Sequence, residues 1–253
     1  MYAVDYNGYR SVKGFNQRVR HLVFHYTAAN FRNSVSALTG PDVSTHYLVP
    51  DPSDETYVQA GFKDIRLFNL VDEKDRAYHA GISYWRGRNN LNDSSIGIEI
   101  VNQAYDKDGE VVFLPYNAEQ IKAIQQLALN ILQRYPDISP TNIVGHSDIA
   151  PGRKSDPGAL FPWLALHQAG VGAWYEESTK VKYLQTYARQ MPADSNILTL
   201  FGKYGYDVSS ATNPVGRQAL TRAFQLHFRP ARHDGRMDVE TAAILAALVE
   251  RYY

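Results

Sequence analysis

The stretch Ser95-Ile96-Gly97-Ile98-Glu99-Ile100-Val101 places an isoleucine at every second position, the period of a β-strand. One face of that strand is wholly apolar, and Gly97, Glu99 and Val101 point the other way. A glutamate in so apolar a strand needs a reason, because burying an unpaired carboxylate is costly. Working outward, Val19-Arg20-His21-Leu22-Val23-Phe24-His25-Tyr26 reads as a strand over Arg20 to Tyr26, with His25 near its end. Thr45 to Val49 is another strand by its β-branched and aromatic content, and Arg66 to Val71 a weaker one. Asn117 to Tyr135 is the clearest helix. Asn117 and Gln120 form a capping-box pair, Ile121, Ile124, Leu127, Ile131 and Leu132 make an apolar stripe, and Pro136 ends it. The next strand, Asn142 to Gly145, delivers His146 at its end. Strands mixed with long helices indicate an α/β or α+β layer fold.

Around Gly170 to Ser178 this pattern breaks, which divides the chain into residues 1–175 and 176–253. The second part reads as a small helical bundle over Val181 to Met191, Ile197 to Tyr204, Pro214 to Phe228 and Val239 to Tyr252. The 26 Lys and Arg balance 26 Asp and Glu, so no strong field favours nucleic acid or an anionic membrane. There are no cysteines, which rules out disulfides and thiolate metal sites. No run approaches the ~18 apolar residues of a membrane helix. The opening Met1-Tyr2-Ala3-Val4-Asp5-Tyr6 shows neither the basic nor the apolar region of a secretory signal.

The chemistry concentrates in Gly145-His146-Ser147-Asp148-Ile149-Ala150-Pro151-Gly152-Arg153-Lys154-Ser155-Asp156-Pro157-Gly158. His25 and His146 both sit at strand ends, where scaffolds present reactive groups. Either alone reads as an ordinary hydrogen-bonded histidine. With Asp156 they make a catalytic zinc set, since two imidazoles and a carboxylate leave the fourth tetrahedral position open. Glu99 is then the general base, and Lys154 the cation that neutralises an oxyanion. The bland alternatives are a salt-bridged strand residue and a solvated loop cation. His46 reads equally well as a core histidine. His79 precedes an aromatic, Arg- and Asn-rich loop, Ser83-Tyr84-Trp85-Arg86-Gly87-Arg88-Asn89-Asn90. That loop is expected to wall a cleft, because aromatics with Arg and Asn stack on sugars and hydrogen-bond peptides; the same residues equally fit a surface loop that packs on itself. His46, His79, Trp85, Arg86 and Asn92 therefore form the expected substrate-binding set. His227 and His233 are expected at the surface.

Five motifs carry a resemblance: Val23-Phe24-His25-Tyr26-Thr27-Ala28, Ser44-Thr45-His46-Tyr47-Leu48, Ala77-Tyr78-His79-Ala80-Gly81, Asn92 to Glu99, and the His146 to Pro157 loop. In order and spacing, from about Val19 to Trp163, the chain resembles the zinc N-acetylmuramoyl-L-alanine amidases of the AmpD/AmiD type, a family related to phage lysozyme-type amidases and to peptidoglycan recognition proteins. It looks most like periplasmic AmpD homologues with a C-terminal extension. The resemblance implies a mixed β-sheet flanked by helices, zinc held by His25, His146 and Asp156, and catalytic roles for Glu99 and Lys154. One branch has cysteine as third ligand where this chain has Asp156. The phage branch has a catalytic tyrosine where this chain has Thr45, which leaves the base role to Glu99. Tyr204-Gly205-Tyr206, Ala223-Phe224-Gln225 and Asp234-Gly235 with Asp238 and Thr241 resemble, less closely, a three-helix peptidoglycan-binding domain. The implied reaction is hydrolysis of the amide between the lactyl group of N-acetylmuramic acid and L-alanine of the stem peptide. The implied partner is peptidoglycan, and an oligomer is compatible with it. Two rivals stand beside this reading. One is a non-catalytic muropeptide recogniser, which typically lacks a zinc ligand. The other is a cytoplasmic recycling amidase, which the absence of a visible signal favours and the C-terminal extension disfavours. A periplasmic location is an expectation from the substrate.

Overall fold

The computed structural model describes residues 2–253. Its centre is a five-stranded sheet of β1 (His21–Tyr26), β2 (Tyr47–Val49), β3 (Phe68–Asn69), β6 (Ser95–Ile100) and β9 (Ile143–Gly145), in the order β3-β2-β6-β1-β9. The edge strand β3 is antiparallel to β2, and the other pairings are parallel. This is the expected mixed sheet. Two hairpins, β4 (Tyr84–Trp85) with β5 (Arg88–Asn89) and β7 (Tyr105–Lys107) with β8 (Glu110–Val112), stand apart from it. The parallel strands need crossovers. These are supplied by α1 (Phe31–Leu38) and α2 (Glu55–Gln59), which sequence patterning did not pick out, and by α3 (Ala118–Arg134).

Ile96, Ile98 and Ile100 are fully buried, as are Leu22 and Phe24 beside them on β1. Helix α3 covers this layer with Ile124, Leu127, Ala128 and Ile131. Its N-terminus is closed as expected. The Asn117 side chain accepts from the Glu119 amide at 2.9 Å, and the Asn117 amide donates to Gln120 Oε1 at 3.0 Å. Gln120 Nε2 also donates to the Val101 carbonyl at 2.8 Å, which ties the helix to the end of β6.

Short helices α4 (His146–Ile149) and α5 (Trp163–Gln168) follow β9, and then come α6 (Glu177–Arg189), α7 (Asp194–Tyr204), α8 (Pro214–Phe228) and α9 (Val239–Tyr252). The change of pattern near residue 175 coincides with the start of α6. The two parts nevertheless share one continuous apolar core. Trp85 meets Tyr206 edge-on at 4.8 Å between ring centroids, and Trp174 packs on Phe228 at 5.7 Å. His227, expected at the surface, is buried: it stacks on Trp163 at 3.7 Å, and its Nδ1 lies 2.7 Å from Asp148 Oδ2. Its position in an amphipathic helix hid this, because the surface that covers it belongs to a distant part of the chain. His233 is partly covered by Phe113.

Candidate active site

Strand register builds the site. In the parallel β1–β6 pair His25 lies directly opposite Glu99, so both side chains share one face of the sheet. On the other side of β1, Gly145 pairs with Phe24, and His146 is the next residue along. Three adjacent parallel strands therefore deliver Glu99, His25 and His146 side by side at their carboxyl ends, where open α/β sheets bind ligands. Asp156 returns to them at the end of the Pro/Gly loop. The Asp156 carbonyl accepts from the Ser147 amide at 2.9 Å, and the Pro157 carbonyl accepts from the Tyr116 hydroxyl at 2.7 Å. Gly145 leaves the space for this return, since a Cβ there would lie 2.6 Å from Pro157 Cδ.

His25 Nδ1, His146 Nδ1 and Asp156 Oδ2 form a triangle with sides of 3.0, 2.9 and 3.1 Å, all three residues being buried. Their neighbours decide which ring nitrogens carry protons. The Ser95 hydroxyl donates to the Leu91 carbonyl at 2.6 Å, so Ser95 Oγ accepts from His79 Nε2 at 3.1 Å. His79 Nδ1 is then an acceptor, and His25 Nε2 donates to it at 2.9 Å. That relay leaves the His25 Nδ1 lone pair facing the triangle. His146 Nε2 donates to the Ala80 carbonyl at 3.0 Å, which turns its Nδ1 to the same point. Burial and the neighbouring His146 push the His25 imidazole down to about 4, so it is neutral at physiological pH. Burial opposes ionisation of Asp156, yet the facing His146 and His25 hold its carboxyl well below the usual range. Two imidazole lone pairs and a carboxylate converge with no proton of their own to share. A tetrahedral ion with bonds of about 2.0–2.1 Å separates its ligand atoms by ~3.3 Å, close to this spacing. The residues fit a divalent metal.

Glu99 Oε2 is sealed from solvent with no hydrogen-bond partner among the described residues. Burial, then the Asp156 carboxylate, raises the Glu99 carboxyl well above its ordinary range, against the pull of Lys154. A groove of about 380 Å³ opens over these groups. His79, Glu99, His146 and Asp156 line it together with the exposed Lys154, and so do Asn33 and Ser34 of α1 with Tyr78. The α1 residues and Tyr78 were not anticipated from sequence.

The expected substrate-binding set separates into different positions. His79 lines the groove and also orients His25. His46 is a core histidine: its Nδ1 accepts from the Gly97 amide at 3.0 Å and its Nε2 donates to the Asp75 carbonyl at 3.3 Å. Asn92 is buried behind the groove, and its Oδ1 accepts from the His79 and Ala80 amides at 3.1 and 2.7 Å. It holds the segment that supports both histidines. The loop expected to wall the cleft does not do so. Trp85 is 1% exposed and donates its indole N–H to the Thr141 carbonyl at 2.9 Å. Arg86 lies over the Tyr253 ring at 4.7 Å and donates to Thr141 Oγ1 at 3.0 Å. Both residues are engaged at the junction with the C-terminal helices. Aromatic and cationic content suits an internal junction as well as a sugar cleft, and sequence does not separate the two. Gly97 was a readable signal for His79, since a glycine inside a strand marks a close approach. A Cβ at Gly97 would lie 2.5 Å from His79 Cγ.

The sequence pattern of N-acetylmuramoyl-L-alanine amidase matches residues 15–159. The chain is 44% identical over 245 residues to the N-acetylmuramoyl-L-alanine amidase AmiD of Escherichia coli K12, covering 96% of this chain and 87% of that protein. It superimposes on the crystal structure of AmpDh3 from Pseudomonas aeruginosa with a TM-score of 0.97 at 54% identity, covering 100% of this chain and 99% of that one. The E. coli AmiD complex with anhydro-N-acetylmuramic acid-L-Ala-D-gamma-Glu-L-Lys aligns with a TM-score of 0.87 at 43% identity, over 98% and 97% of the two chains. With its five-stranded sheet, its buried His-His-Asp group and this full-length likeness, the chain belongs to the N-acetylmuramoyl-L-alanine amidase family.

Proposed function

We propose that the protein is a zinc-dependent amidase acting in the periplasm on peptidoglycan and its muropeptides. It hydrolyses the amide between the lactyl group of N-acetylmuramic acid and L-alanine, the activity its near-full-length relative is named for. The carrying observation is the triangle of two Nδ1 atoms and one carboxylate oxygen beside a glutamate whose Oε2 is sealed and unpartnered among the described residues. Zinc suits a set of two imidazoles and a carboxylate, and supplies Lewis acidity to amide hydrolysis when held by His25, His146 and Asp156.

The chain's own residues account for the rest. Water adds to the carbonyl carbon while the Glu99 carboxylate takes its proton, and Glu99 returns that proton to the departing amine as the C–N bond breaks. The products are a lactyl carboxylate and a peptide with a free L-alanine amino terminus. The Lys154 ammonium, from an exposed residue lining the same groove, offsets negative charge on the carbonyl oxygen. Two similar structures hold muropeptide-type ligands, an anhydromuramic pentapeptide in AmpDh3 and an anhydromuramyl tripeptide in AmiD. These ligands also favour a second reading, in which soluble anhydromuropeptides are the main substrate.

The test is release of stem peptides from purified sacculi before chelation, after chelation and after zinc is restored. Zinc-dependent release with new L-alanine amino termini is expected. Activity restricted to soluble anhydromuropeptides selects the second reading, and zinc-independent release removes the metal from the mechanism. Fractionation of intact cells tests the location.

A further inference from the structure

The His146 to Asp156 loop carries two of the three triangle residues together with Lys154, and its outer side is not free. Asp148, two residues after His146 in helix α4, is 0% exposed. Its Oδ2 accepts from the Gly145 amide at 2.8 Å, which closes the first turn of α4. The other two donors to this carboxylate come from the C-terminal helices. Tyr206, just past α7, donates its hydroxyl to Oδ1 at 2.5 Å, and His227 of α8 donates from Nδ1 to Oδ2 at 2.7 Å. His227 is held in plane by stacking on Trp163 at 3.7 Å. Further along the loop α8 approaches again: a Cβ on Gly152 would lie 3.0 Å from Ala219 Cβ. Polymer affinity gives no reason for two separate segments of the C-terminal part each to send a charge-assisted hydrogen bond into the turn that bears His146.

We propose that Asp148, Tyr206 and His227 are positioning residues for the metal site, and that the C-terminal helices are part of its scaffold. The proposal rests on the metal reading of the His25, His146 and Asp156 triangle. A buried carboxylate is stable only while its donors are in place. Losing the Tyr206 or His227 donor drives Asp148 to rearrange, and α4 and His146 move with it. Partners bonded directly to a metal ligand commonly alter metal affinity by roughly 10- to 100-fold, and here the effect reaches His146 through the Gly145 amide and the first turn of α4.

The full chain tests this through the rate of zinc release to a chromogenic chelator, read well below the unfolding temperature of each variant. His227→Phe keeps the stack on Trp163 but removes the donor. His227→Asn places an amide N–H where Nδ1 was. Tyr206→Phe removes only a hydroxyl. Ile197→Ala, at a buried position of α7 that supplies no hydrogen bond to Asp148, controls for general weakening of the C-terminal helices. Release about tenfold faster or more is expected in His227→Phe and Tyr206→Phe, with return toward the wild-type rate in His227→Asn. The d–d spectrum of the cobalt-substituted protein should shift in the same two variants, and kcat on a soluble muropeptide should fall with KM unchanged. Wild-type release rates in both variants overturn the proposal. So does equal acceleration by Ile197→Ala at an equal loss of thermal stability. A wild-type chain that binds no zinc is a separate outcome, because it removes the metal reading itself.

Discussion

Two buried groups that pair histidine with aspartate flank the first turn of helix α4, and they differ in how their hydrogen bonding is completed. Around Asp148 the carboxylate accepts from an amide, a hydroxyl and an imidazole, so both of its oxygens meet protons, while His227 Nε2 is left buried without a partner among the described residues. Around Asp156 each histidine spends its N–H outward, on His79 or on the Ala80 carbonyl, and turns a lone pair inward. Both clusters combine histidine with a buried aspartate, so residue types and burial do not tell them apart. What distinguishes them is the direction of the protons. A carboxylate whose donors are all supplied by the protein is structural, whereas a set of converging acceptors needs a cation.

That contrast breaks most readily at the metal. His146→Ala should abolish zinc binding and reduce turnover at least a thousandfold (~10³), checked by metal content of the purified variant alongside peptide release. Stoichiometric zinc in that variant would mean that the triangle is not the metal site. Glu99→Ala should keep the zinc and lower kcat by roughly 10²- to 10⁴-fold, the span of a lost general base. Because burial and Asp156 raise the Glu99 carboxyl, the acid limb of kcat/KM should lie above the ordinary glutamate range. A pH–rate profile on wild type checks this, and near-normal activity in Glu99→Ala would dismiss the residue as base.

His79→Ala cuts the relay that sets the His25 tautomer while leaving all three triangle residues. Zinc affinity should fall by roughly 10- to 100-fold, measured by competition with a chelator of known affinity. Unchanged affinity would return His79 to a purely groove-lining role. A last effect, on stability and not on the metal, belongs to His21, another buried imidazole, whose Nδ1 lies 3.1 Å from Ser94 Oγ. Burial, with nearby Arg88, Arg20 and Arg86, lowers it from 6.5 to about 4. The unfolded chain takes up that proton first, so stability falls as the pH drops from 6.5 toward 4. The loss is at most roughly 3 to 4 kcal/mol. Denaturant titrations across that window should show a shallower decline in His21→Asn than in wild type.

Much of the site's raw material was legible along the chain. The alternation in Ser95 to Val101 put Glu99 opposite the isoleucine face, and the strand ends at His25 and Gly145 implied where the histidines would emerge. The capping pair Asn117 and Gln120 located α3 because its hydrogen bonds are local. Trp85, Arg86, Asn92 and His227 were not legible in this way. Their expected roles came from residue type and exposure, and each found its partner more than ten residues away, on Thr141, Tyr253, His79 or Asp148.

The sequence by itself determined the elements whose signals are short-range: the apolar alternation of the strands, the stripe and cap of α3, and the residue types able to bind a metal. Only the tertiary structure decided strand order, register and the facing of the imidazoles. Those depend on hydrogen bonds between segments distant in the chain, and a proton's direction on a ring nitrogen is set by the neighbour that folding brings to it.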